Sequence, residues 1–158
     1  MMVRVFVALF VLMCSFLISI SAQARDWEYR EHEDPMTDEK WWDVSSRNQF
    51  YFATVRCIRG KVSMDFGYFD GLPKRHNKTI LVRFDKELAK RHPVTHLKIG
   101  GVDRLRLSEW AGKGIIESMK KHNKMLVQVH TYQNERFIRP FSLKGFSAEM
   151  AKFPPECQ

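Results

Sequence analysis

Past residue 20 the chain has no apolar run near the roughly twenty residues that a membrane-crossing helix needs. It carries no G-x-S-x-G, H-E-x-x-H or P-loop motif, so the common signatures of serine hydrolases, zinc peptidases and phosphate-loop enzymes are missing. Internal repeats, low-complexity tracts and a concentrated Arg/Lys block are also absent. That excludes solenoids and disordered tails, and it removes the usual footprint of a nucleic-acid binder. Cysteine is scarce, with three in 158 residues.

What is present begins with a leader-like segment, MMVRVFVALFVLMCSFLISISAQA. Arg4 supplies a positive start, and an apolar run follows from Val5 to Ile20. Ala22-Gln23-Ala24 then fits the A-x-A rule for signal-peptidase cleavage, so residues 1–24 are expected to be a Sec-type signal peptide removed after Ala24. The competing reading is an uncleaved anchor, for which the apolar run is short. Cys14 is not placed as a lipoprotein cysteine, because bulky Met13 precedes it. Localisation is expected to be the periplasm or the medium, with no stable membrane insertion after cleavage. Arg4 contributes one unit of the formal +8, so residues 25–158 carry about +7. In an exported protein such a charge favours anionic envelope partners or acidic proteins, and nucleic acid is not expected.

Removing the leader leaves two cysteines, Cys57 and Cys157. An oxidising compartment favours their pairing, against the alternatives of two free thiols or an intermolecular bridge. A loop of about a hundred residues closed this way is worth on the order of 4–5 kcal/mol in the chain-entropy model.

Residues 25–48 are acid-rich and polar, with Trp27, Trp41 and Trp42 as isolated anchors, and read as an irregular arm with at most a short edge strand. Residues 49–158 read as a single β-rich domain. Tyr51, Ala53, Val55 and Cys57 share one strand face, Arg59-Gly60-Lys61 turns the chain, and Val62, Met64, Phe66 and Tyr68 return in phase. The stretch DGLPKRHNK is a loop, and TILVRFD a further strand. VTHLKIGG and DRLRLSEW fit either strands or irregular pieces. Gly112 and Gly114 place the start of a helix at IIESMKKHNK. MLVQVHTY and ERFIRPFSL form a second hairpin whose latter arm is demoted to an edge by Pro140. Ser147 is expected to cap a short helix, AEMAKF, which Pro154-Pro155 ends. The fold class is therefore α+β and β-rich: an antiparallel sheet or small sandwich with one or two short helices.

Candidate chemistry is sparse. His92 and His96 are four apart, but Pro93 between them disfavours the helix that would converge them on zinc. EHEDPMTDE lacks the ligand order of a calcium loop and reads as a solvated turn. Asn77 is a glycosylation acceptor only in a eukaryotic host. Trp41-Trp42 and Phe50-Tyr51-Phe52 read as core and covered face rather than an exposed platform. No catalytic residue, metal ligand or cofactor is assigned.

The order of a VRC strand, KVSMDFG, TILVRFD, the segment FSLKGFSAEMAKF and a terminal Cys resembles small exported bacterial proteins associated with type VI secretion, the VasI kind. A more distant likeness is to invasion-associated locus B proteins. The resemblance implies a Cys57–Cys157 disulfide and makes Arg83, Phe84 and Asp85 a framework signature or partner contact. It is weakest from Arg91 to Ala111. It implies a non-enzymatic binding or accessory protein of the periplasm, linked to a secretion system through that likeness alone, with a protein partner in the cell envelope. The alternatives are an inhibitor or immunity protein that neutralises a toxin or lytic enzyme, and an envelope-polymer hydrolase.

Overall fold

The computed structural model describes residues 26–48, 50–68, 76–131 and 136–158. The leader with Cys14, the loop over 69–75, the turn over 132–135 and the side chain of Asn77 lie outside the described residues.

Nine strands make one antiparallel sheet in the order β1-β2-β3-β4-β7-β6-β5-β8-β9. They are β1 (Glu28–Glu33), β2 (Lys40–Arg47), β3 (Tyr51–Ile58), β4 (Lys61–Tyr68), β5 (His76–Phe84), β6 (Lys90–Ile99), β7 (Val102–Leu107), β8 (Lys124–Thr131) and β9 (Arg136–Ser142). Among the described residues, two helices, α1 (Glu109–Met119) and α2 (Phe146–Met150), and a 3-10 turn at Pro155–Cys157 complete the elements. The β-rich class and the disulfide follow the sequence reading.

The first hairpin forms as its alternation dictates, with Cys57 opposite Val62 and Ala53 opposite Phe66. Arg59 (φ 51°) and Gly60 (φ 71°) both take left-handed conformations, the backbone of a two-residue turn that suits the strand twist. VTHLKIGG and DRLRLSEW prove to be strands, joined through Gly100-Gly101 and paired from Val94↔Leu107 to Ile99↔Val102. Strand β6 pairs with β5 over Lys90–Pro93 and with β7 from Val94 onward. It thus hands the chain between two half-sheets, as corner strands of folded sheets do. The halves meet where Phe66 and Phe141 approach at 5.9 Å between ring centres. The core between them holds Val55, Met64, Leu105, Val82, Val127 and their neighbours, all buried.

Three expectations are corrected. Residues 25–48 are not an irregular arm: β1 and β2 continue the sheet from β3, with Tyr29↔Val44 and Val44↔Val55 in register. Their polar composition hid this, because one face of each strand is solvated and β1 is an edge. Helix α1 starts at Glu109, with Ser108 accepting from the Ala111 N–H, and both glycines lie inside it. A Cβ at Gly112 would stand at ordinary contact distance from Met64 and Leu107, and one at Gly114 would meet nothing within 4 Å, so neither glycine is demanded by the packing of α1. Ser147 does not cap α2; its hydroxyl donates to the Lys120 carbonyl at 3.1 Å, and Gly145 occupies the cap position.

The disulfide links Cys57 on β3 to Cys157 in the terminal turn, with Cα atoms 5.9 Å apart. Both cysteines are buried.

Candidate functional site

Helix α1 lies across β4 and β7 with Ala111, Ile115, Ile116 and Met119 buried against the sheet. Burying each of the larger side chains contributes about 1.5–3 kcal/mol, which holds α1 down without further help. On its far side the helix stands off from β5 and β6, leaving a groove of about 400 Å³ floored by Val82, Phe84 and Ile115. Two large apolar side chains flank this groove and point into solvent: Trp110 is 85% exposed and Leu88 is 89% exposed. Lys90, Lys113, Glu87 and Glu117 supply a charged rim, and His92 adds a polar edge. An open, apolar cleft with mixed charge at its edge suits insertion of a partner's apolar side chains.

The Arg83-Phe84-Asp85 signature is split by the fold. Phe84 is buried, stacks on His122 at 5.1 Å and lines the groove. Asp85 (φ 43°) accepts from the backbone N–H of Lys124 at 2.9 Å and of Asn123 at 3.3 Å, and its own N–H donates to the Lys124 carbonyl. It therefore ties the end of β5 to the start of β8. Arg83 is exposed on β5. The structure brings Phe84 to the groove and assigns Asp85 to a backbone junction.

Two histidines bracket the same region. His92 is held below the ordinary histidine value, first by burial and then by the charge of Lys90. His122 is raised: its Nδ1 meets the Ser118 carbonyl at 2.7 Å, the main cause, and its Nε2 meets Glu87 at 3.0 Å. His96 lies on β6 and bonds Asp103 instead of converging with His92.

The outer face of the β1–β4 and β7 region carries a second polar system. Asp43 accepts from Ser45 Oγ at 3.0 Å and contacts His32 Nε2 at 2.8 Å. The hydroxyl is thus bonded to the carboxylate, whereas a nucleophile–base pair needs it on the imidazole. Asp65, 2% exposed, receives Arg106 in a two-pronged pair at 2.7 and 2.8 Å. Among the described residues no three His, Cys, Asp or Glu side chains are grouped to hold a metal ion.

Sequence reasoning did not single out Trp110, Leu88 or the outer-face arginines. Alternation of Arg104 and Arg106 with Leu105 and Leu107 was the available signal for the last of these.

The fold and cleft define a disulfide-closed β-rich protein with an exposed apolar groove beside its longer helix. The chain matches no family model, and no curated protein or solved structure shows significant similarity to it.

Proposed function

We propose that the protein is an exported, non-enzymatic binding or accessory protein that engages a protein partner in the cell envelope through the α1 groove. The observation that carries this reading is the exposure of Trp110 and Leu88 beside a groove floored by apolar side chains. Tryptophan is the residue type most often found to dominate binding energy at protein interfaces. Large apolar side chains left in water beside a cleft mark interaction sites more often than chance. Export is supported by the leader-like segment and by a disulfide, a bond that persists in oxidising compartments. The link to a secretion system rests on the sequence resemblance alone.

The test is capture of envelope proteins by the purified protein and by Trp110→Ala and Leu88→Ala variants. Both side chains are exposed, so the variants should keep the wild-type unfolding midpoint. Each should weaken the captured partner by about tenfold or more, the loss expected of an interface anchor. An unchanged partner affinity in the Trp110→Ala, Leu88→Ala double variant would rule the groove out as the binding surface.

A further inference from the structure

The outer face gathers more positive charge than it neutralises. Arg106 on β7 satisfies the buried Asp65 carboxylate with two bonds, and Arg104 Nη1 stands 3.9 Å from the same carboxylate. Arg104 lies over the Phe52 ring at 5.0 Å, which pins its guanidinium beside Asp65 instead of leaving it in open water. Arg56 comes from β3, cross-strand from Ser63, and shares this face. Three guanidiniums therefore share a face with one carboxylate, and two of them meet it. Adding Arg30, Arg47, Glu28 and Asp43 from the adjoining positions of the same face leaves the same surplus of two positive charges.

That surplus is partly desolvated. Arg104 is held below the ordinary arginine value, first by burial and then by the charge of Arg56, with Asp65 opposing. The Nε atoms of Arg56 and Arg104 are buried and have no hydrogen-bond partner. Confining like charges away from water is costly unless a counter-charge with good acceptors joins them. An oxyanion supplies both, and the planar guanidinium fork matches its geometry.

We propose that Arg56, Arg104 and Arg106 form a binding site for a phosphate dianion, with soluble phosphate monoesters as the ligand class. Two surplus charges match the dianion. A carboxylate or a lipid phosphodiester brings one charge and leaves half of the excess in place. The site is on the opposite sheet face from the α1 groove and does not depend on the proposed protein partner.

The experiment is calorimetric titration of the wild-type protein with inorganic phosphate, at a mildly alkaline pH where its dianion predominates, against chloride and acetate at matched ionic strength. Phosphate should bind at one site and raise the unfolding midpoint beyond both controls. Arg56→Gln should weaken phosphate by about tenfold or more, as loss of a charged hydrogen-bonding partner does. Arg104→Gln should do the same, but it also loses the stack on Phe52, so Arg56→Gln is the variant that separates binding from folding. Equal effects of phosphate and chloride, or undiminished phosphate affinity in folded Arg56→Gln, would overturn the site. Tighter binding to phosphatidylglycerol vesicles than to phosphate, dependent on Arg56, would overturn the monoester assignment in favour of a lipid surface.

Discussion

The indole N–H of Trp27 donates to the carbonyl of Ser142 at 2.7 Å, across 115 positions of sequence. The same ring meets Phe146 edge-on, with centres 4.8 Å apart. Trp27 therefore fastens the first described strand to the junction between β9 and α2, and it is almost fully buried. Removing the ring by Trp27→Ala should cost about 3–5 kcal/mol, as large-to-small core changes do. Trp27→Phe keeps most of the apolar contact and strands the Ser142 carbonyl, so it should cost about 1–3 kcal/mol. Urea unfolding of the two variants checks the order; equal losses would show that the hydrogen bond, and not the ring, holds the strand.

Cys157→Ser removes the second fastening. The bridge spans a sequence separation of 100 residues, and the chain-entropy account assigns it roughly 4–5 kcal/mol. Stability should fall by a few kcal/mol, and adding a reductant should bring the wild type down to the variant. Denaturant curves with and without reductant measure this. A variant as stable as the oxidised wild type would mean that packing of Phe153 against Tyr29 and the core alone secures the chain end.

Much of this architecture was legible because it is local. Period-two alternation placed Cys57 in phase with Val55 and Ala53, and Arg59-Gly60 announced the turn. The two strands at residues 28–47 were hidden because Tyr29 and Val44 are their main core-facing apolar residues, while Glu28, Arg30, Asp43 and Ser45 face outward. Helix α1 was cut short because two glycines carry a cost of about 1 kcal/mol each in a helix. That cost is offset by the burial of Ala111, Ile115, Ile116 and Met119 against the sheet, which only the fold reveals. The sites were less legible still. Nothing local distinguishes an exposed Trp110 from a buried one, and Arg56, Asp65, Arg104 and Arg106 meet only through the β3-β4-β7 register.

Gly67 illustrates a constraint of that kind. A Cβ there would lie 1.9 Å from Cζ of Phe52, whose ring covers the glycine from the neighbouring strand. Phe52 is only 4% exposed and is itself covered by Arg104. Gly67→Ala should therefore destabilise the fold by about 1–3 kcal/mol, the usual cost of overpacking. The double variant Gly67→Ala, Phe52→Ala should show a smaller loss than the sum of the two single changes, because the clash is gone. Additive losses in a double-mutant cycle would remove Phe52 as the reason for glycine at this position.

The two groove histidines should titrate on opposite sides of the ordinary value of about 6.5. For His122, contacts with the Ser118 carbonyl and Glu87 favour the charged ring, so its folded pKa lies above the unfolded one. Its contribution to stability is complete below the unfolded value and is lost as pH rises through the raised folded value. For His92, burial and Lys90 disfavour the charged ring, so its folded pKa lies below the unfolded one. Its contribution is present above the unfolded value and is lost as pH falls through the depressed folded value. Proton NMR of the ring Hε1 signals against pH should place His92 and His122 on either side of an unstructured histidine peptide. In parallel, His122→Gln should flatten the stability profile on the alkaline side of that value and leave the acidic limb, set in part by His92, unchanged. Coincident titration of the two rings would mean that the Ser118 and Glu87 contacts do not hold His122 in its charged form.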